Sequence, residues 1–293
     1  MKKIVAPTCS ASELFDECVQ GISNAGVRNR LIAQKGLVAQ AYADYAACSQ
    51  DQTWCQLPKA AHGHPEQVIV GDLTKGELVD LYTIGMVMSQ GGARTKYDQI
   101  KILAREECPS CGGCGEFVDD EGVGTLDHFL PKARFPAFSI FPGNLVPACG
   151  TCNTGMGSSF PTDPNLQPLH PYFDAPHFFE QKWTTVMVSQ QYPVVVTFDL
   201  DVPAGWSHKD SQRLSQHFKV CKLRGRYRTQ AASDLSSLID QRKTVHRDLS
   251  PNDFREILKV VADNRALPIN GWKRTLHHGL AESGWFCSHD FAD

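Results

Sequence analysis

Two Cys-x-x-Cys pairs, Cys108/Cys111 and Cys149/Cys152, constrain this chain more than any other feature. Each pair puts two thiolates on one tight turn, beside Pro109, Gly112 and Gly150. Two such turns build a tetrahedral S4 site for Zn(II), at about 2.3 Å per bond. Cys114 lies three residues past Cys111 and could substitute in the site, but a 111/114 pair would leave Cys108 without a role. Four buried cysteines without metal are the plain alternative, and the paired spacing argues against it. A closed S4 site has no open coordination position, so the expected zinc is structural. The 37 residues between Cys111 and Cys149 exceed a simple zinc ribbon, so something substantial is inserted inside the staple.

Eleven cysteines in 293 residues would suit a disulfide scaffold, but four fall in the two pairs and the rest are scattered. The opening MKKIVAPTCS has a short apolar run before Pro7 and no signal-peptide core. No apolar stretch approaches the roughly 18 residues that span a membrane. A reducing cytoplasm without a membrane partner is the expectation. The length suggests about two domains. Hydrophobic residues at 42% and charged residues at 21% describe an ordinary globular protein, and a net charge of -3 carries no nucleic-acid signature by itself.

Along the chain, residues 11–49 read as helix, without Pro and with Leu31, Val38 and Tyr42 near helical spacing. Residues 51–71 read as a loop with a short strand at 68–70; its His62 and His64 read as bystanders, as isolated loop histidines usually are. Thr74 and Glu77 have capping-box spacing before a buried helix that Gly91-Gly92 ends, and a further helix covers about 94–106. Residues 161–176, rich in Pro and turn formers, read as a linker wrapped on the surface. Runs 183–189 and 192–200, separated by Gln190-Gln191, read as a hairpin. Helices follow at about 207–220, 224–244, 251–264 and 270–284, and His277-His278 there reads as incidental.

The insert carries TLDHFLPKARFPAFSIFPGNLVPACGTCN, residues 125–153. Phosphodiester hydrolysis needs a base for water and a metal to stabilise the crowded phosphate. His128 is a base neutral near physiological pH. Asp127 offers a hard carboxylate suited to Mg2+ or Mn2+, and Asn153 a carbonyl oxygen at the start of a following helix. Neighbours on a regular strand face opposite ways, so Asp127 and His128 should sit at a strand end, where the chain breaks toward Pro131. A lone Asp-His pair would be a hydrogen-bonded turn; the flanking residues decide otherwise.

With His128, Asn144 sixteen residues later and Asn153 nine beyond it, the stretch resembles the HNH (ββα-metal) endonuclease family, in an HNN variant where Asn replaces the last His. The resemblance implies a β-hairpin and helix clamped by the cysteine pairs. It makes His128 the general base, Asp127 and Asn153 ligands of a catalytic divalent ion, and Asn144 the residue that fastens the inter-strand loop and orients His128. It also implies a nucleic-acid substrate, DNA before RNA. The wider text is similar to standalone HNH proteins of bacterial anti-phage defence, of which the Septu-type systems pair theirs with an ATPase. An ATPase partner from the same operon is therefore expected.

The residues after Asn153, Thr154 to Gly157, are neutral where that family often carries basic ones. Phosphate contacts are expected from Lys132 and Arg134, or from the C-terminal region. Residues 209–247 hold ten Lys/Arg against three Asp, densest around Lys222, Arg224, Arg226 and Arg228. Such a run is often only a solvated face. The expected fold class is α+β: a helical scaffold or partner-binding region (1–106), the zinc-stapled module (107–162), and a region with a hairpin, helices and the basic segment (163–293). A non-catalytic zinc module binding nucleic acid or protein is the competing reading. It needs none of Asp127, His128 and Asn153 together.

Overall fold

Short polar side chains set where the helices begin. Ser10 accepts from Glu13 N–H to start α1 (Ala11–Gln20), and Asn24 accepts from Val27 N–H to start α2 (Ala25–Ala33). The run read as one helix over 11–49 is thus three, with α3 at Lys35–Asp51. The first break falls at Gly21 to Asn24, where an N-capping side chain competes with continuing the helix, and the second at Gln34. The computed structural model describes residues 1–104, 107–113 and 124–291. Cys114 lies outside the described residues.

A short antiparallel pair, β1 (Val68–Val70) and β2 (Leu73–Thr74), leads into α4 (Lys75–Tyr82). Thr74 and Glu77 form the capping box in both directions. A π-helical turn, Thr83–Val87, ends this segment. Gly85 belongs to it because a Cβ there would lie 2.4 Å from the carbonyl oxygen of Cys18 on α1. Helix α5 is Gly92–Lys101.

Strands β3 (Thr125–His128) and β4 (Leu145–Ala148) pair antiparallel, Asp127 opposite Val146 and His128 opposite Leu145. Helix α6 (Gly150–Met156) follows, N-capped by Cys149. Asn153 therefore sits one turn into the helix; the helix already begins inside the second Cys-x-x-Cys turn.

Residues 161–176 depart from the surface-linker reading. Gln167, Leu169, His170, Tyr172 and Asp174 are all buried. Gln167 is satisfied there by Cys55 N–H and the carbonyls of Gln52 and Pro164, which is how a polar side chain enters a core.

The C-terminal elements are α7 (His177–Glu180), β5 (Thr184–Val188), β6 (Val196–Leu200), α8 (His208–Val220), α9 (Leu223–Lys243), α10 (Pro251–Ala262), α11 (Trp272–Glu282) and α12 (Gly284–Ser288). β5 and β6 pair antiparallel, Thr184 opposite Leu200. Their connection runs over 189–195 instead of two residues. Gln190-Gln191 lacks the residues that favour a primed turn, and Pro193 has no N–H for the ladder. Mixed helices and small antiparallel sheets make the chain α+β. The chain divides into two compact units: residues 3–110 with 114–174, and residues 1–2 and 111–113 with 175–293. The division falls after Asp174, and residues 3–104 share a unit with β3, β4 and α6.

Candidate functional site

Cys108, Cys111, Cys149 and Cys152 are all buried, and their four sulfurs lie within 4.8 Å of one another. In a tetrahedral site with bonds of about 2.3 Å, sulfurs stand roughly 3.8 Å apart, so small adjustments would close the cluster on one ion. The turns are prepared for thiolates. Cys111 Sγ accepts from Gly113 N–H at 3.4 Å and Cys149 Sγ from Cys152 N–H at 3.3 Å. Such N–H···S bonds favour the charged sulfur that a metal needs. The donor set fits a metal such as zinc.

His128 ends β3 and is 6% exposed. Its Nε2 lies 2.8 Å from the carbonyl oxygen of Ser139. A carbonyl only accepts, so Nε2 carries the hydrogen and Nδ1 holds the basic lone pair. The Tyr82 ring packs edge-on against the imidazole, with centroids 4.4 Å apart. Burial first, then the charge of Lys132, pushes the His128 pKa down to about 3, against the Ser139 carbonyl, which raises it. The imidazole is neutral at pH 7.

Asp127 Oδ1 accepts from His128 N–H at 2.7 Å. Strand alternation puts Asp127 on the face of Thr125, away from Leu126 and His128. Asn153 reaches that same face, where its Nδ2 donates to Thr125 Oγ1 at 2.8 Å and its carbonyl is the other polar end. Lys132 is the link between the two faces. Its ammonium sits over the Tyr82 ring at 4.8 Å, burial lowers its pKa, and the charge of Asp127 raises it.

Asn144 is fully buried. Its Oδ1 accepts from Leu130 N–H at 2.7 Å, and its Nδ2 donates to the carbonyls of Leu130 and Phe138, each at 3.1 Å. One side chain thus fastens both ends of the loop over 129–144, next to the Ser139 carbonyl that holds His128.

Other expected contacts lie elsewhere. Arg134 is half-buried, and among the described residues its buried Nε has no hydrogen-bond partner. In the C-terminal unit Lys222, Arg224 and Arg228 are exposed on α9 or its cap, but Arg224 is paired with Asp199 at 2.7 Å and Arg226 lies against Gly113. His64 is exposed beside Glu66, and His278 pairs with Glu282 at 3.0 Å. Residues that the sequence reading missed are Thr125, which holds Asn153, Ser139, whose carbonyl orients His128, and Tyr82. No spacing rule marks any of them; only their contacts do.

The site is a loop fastened by an asparagine between two antiparallel strands, with a neutral histidine at the strand end and a four-cysteine cluster in the same chain. No family model and no solved structure matches the chain. It is 33% identical to protein ea31 of Escherichia phage lambda over 296 residues, a match spanning 97% of this chain and 98% of that protein. The chain belongs to the protein ea31 family. Among the described residues no helix is long and apolar enough to cross a membrane.

Proposed function

We propose that this chain is a metal-dependent endonuclease of HNH type. The observation that carries the reading is the state of His128: neutral, with Nε2–H fixed on Ser139 O at a strand end, and Lys132 linking it to Asp127 on the other face. His128 Nδ1 takes the proton as a water oxygen attacks phosphorus, and the 3′ oxygen leaves to give 5′-phosphate and 3′-hydroxyl ends. The negative charge of a phosphate beside the imidazole raises its basicity above the low value that burial and Lys132 set. Asp127 and Asn153 would hold a Mg2+ or Mn2+ ion, which supplies charge to offset the crowded phosphate and the departing oxygen. Lys132 contributes a phosphate contact from within the site, and α9 a second basic surface. The four cysteines hold Zn2+ as a fold element. DNA is the expected substrate, by the resemblance.

Resemblance to standalone HNH proteins of anti-phage defence, together with kinship to a phage lambda protein, supports a role in conflict between phage and host. An ATPase encoded nearby is the partner to look for by co-purification.

Plasmid nicking with Mg2+ or Mn2+ tests the reading, with His128→Ala as the decisive variant. Cleavage should drop at least the roughly 10²- to 10⁴-fold typical of losing a general base, with fold and metal content intact. Near-normal cleavage by His128→Ala would falsify the assignment.

A further inference from the structure

Asn144 is itself held from behind. Its Oδ1 is also 3.3 Å from the hydroxyl of Tyr45, a wholly buried side chain of α3. That hydroxyl lies 3.2 Å from His170 Nε2 and 3.3 Å from the Gly143 carbonyl. The His170 tautomer is fixed, because Tyr172 N–H donates to its Nδ1 at 3.2 Å. Nε2 therefore carries the hydrogen, with the Tyr45 oxygen and the Gly143 carbonyl (3.1 Å) in reach as acceptors. Asp174 accepts the His170 backbone N–H, and the rings of Trp54 and Phe129 pack on the imidazole at 5.4 and 4.1 Å.

This geometry decides which way the Asn144 amide points. The Tyr45 hydroxyl receives from His170 and has two acceptors at equal distance for its own hydrogen, Asn144 Oδ1 and the Gly143 carbonyl, each 3.3 Å away. The Asn144 oxygen takes Leu130 N–H and has the Tyr45 O–H in reach, while Nδ2 has two acceptors, the carbonyls of Leu130 and Phe138. Turned the other way, the amide would set NH2 against the Leu130 N–H and its oxygen against two carbonyls, leaving buried polar groups unpaired on both sides. Phe138 O is one peptide before Ser139 O, the acceptor for His128 Nε2–H.

We infer that Tyr45 and His170 are positioning residues that, through Asn144 and the 138–139 peptides, hold His128 with Nδ1 as its basic nitrogen. The catalytic meaning rests on the nuclease reading; the positioning of the ring does not. The device is built from α3 and the 167–174 segment, parts of the chain with no motif of their own. Burial keeps the Tyr45 hydroxyl protonated, with a pKa well above the ordinary tyrosine range, so it stays a donor. Its ring packs on Phe138 and Phe141 with centroids 5.2 and 4.9 Å away. Tyr45→Phe therefore keeps the packing and removes only the donor.

The experiment uses the full chain carrying Tyr45→Phe or His170→Gln, beside the parent and His128→Ala. The tautomer of His128 is read at fixed pH by long-range proton–nitrogen correlation on 15N-labelled protein, its resonance assigned by its loss in His128→Ala. Plasmid cleavage with Mn2+ supplies kcat and KM. The parent should show the Nε2–H form. Both variants should mix in the Nδ1–H form, and kcat should fall about 10- to 100-fold, as for loss of a residue behind the reacting groups, with KM little changed. An unchanged tautomer in either folded variant overturns the inference, whatever the cleavage rate. Loss of fold in both variants overturns it too, since the pair would then serve the core and not the site. If the parent cleaves nothing yet the tautomers shift, the nuclease reading falls and the positioning stands.

Discussion

Asn144 and Asn270 are both buried, and each uses its carboxamide to fasten irregular chain beside a two-stranded antiparallel sheet. Asn144 ties Leu130 and Phe138 next to β3 and β4. Asn270 takes Trp183 N–H at 2.8 Å and Thr184 N–H at 3.2 Å at the start of β5, and gives to Gln181 O at 2.8 Å. The surroundings differ. Around Asn270 the side chains are neutral hydroxyls: Thr184 donates to its Oδ1 and meets Thr275, and Tyr227 donates to its backbone carbonyl. The loop held by Asn144 ends on an imidazole with an ammonium beside it, and the carboxylate of Asp127 lies on the other face of the strand. A buried carboxamide by itself means fastening; the chemistry lies in what the fastened chain carries.

The largest expected difference between the two sheets comes from the cysteines. Cys149 directly follows β4 and caps α6, so Cys149→Ser should abolish metal binding that is coupled to folding. We expect about one zinc per chain in the parent, little in the variant, and several kcal/mol of lost stability. Hydrogen exchange should rise across β3 and β4 and hold steady across β5 and β6. Full zinc content and an unchanged melting curve in Cys149→Ser and Cys108→Ser would defeat the metal assignment.

The asparagines themselves come next. Each carboxamide serves several buried groups, so Asn144→Ala and Asn270→Ala should both destabilise, by about 1–3 kcal/mol for each group left unpaired. Only Asn144→Ala should also lower cleavage in fully folded protein at low temperature, on the order of 10-fold or more. Equal cleavage by the two variants would erase the distinction between them.

What could be read from the sequence was whatever one stretch of chain decides alone. The Cys-x-x-Cys turns, the Thr74–Glu77 capping box and the run of helices from α8 to α11 depend on neighbours a few residues apart, and the structure places them close to where they were expected. The strand–loop–strand–helix order from Thr125 to Met156 was expected from the family resemblance and not from any local pattern. Residues 161–176 were misread because Pro and turn formers describe backbone shape and say nothing of burial. Gln167 is buried only because Cys55 and Gln52, over a hundred positions away, meet it. Tyr45 and His170 are separated by 125 positions and Asn153 and Thr125 by 28, so no local pattern announces them.

A smaller effect should separate the basic groups. Neutralising Lys222, Arg224, Arg226 and Arg228 together should weaken duplex binding and flatten its salt dependence, by about 0.9 in the log–log slope for each phosphate these side chains stop neutralising. Arg224 should contribute least, because Asp199 already holds it. Neutralising Lys132 alone should lower both binding and turnover, since its charge lies beside His128 and Asp127. A salt slope that ignores the α9 residues returns them to a solvated face.

The subtlest effect concerns Asn153, which donates to Thr125 Oγ1 on β3. An amide oxygen is a hard, neutral ligand, so the site as built should favour Mg2+ or Mn2+. Asn153→Ala removes that oxygen and the tether to Thr125, and cleavage should fall. Asn153→His exchanges oxygen for an imidazole nitrogen on the same face of α6. We expect the His variant to stay active and to shift its preference toward Mn2+, Co2+ or Ni2+ relative to Mg2+, because nitrogen suits the later ions of the divalent series. Thr125→Val gives the control that the structure supplies: it keeps Asn153 and frees its amide, so it should lower activity with every ion equally and leave the order of preference alone. If Asn153→Ala matches the parent with every ion, Asn153 is a tether between α6 and β3 and the catalytic ion is held without it.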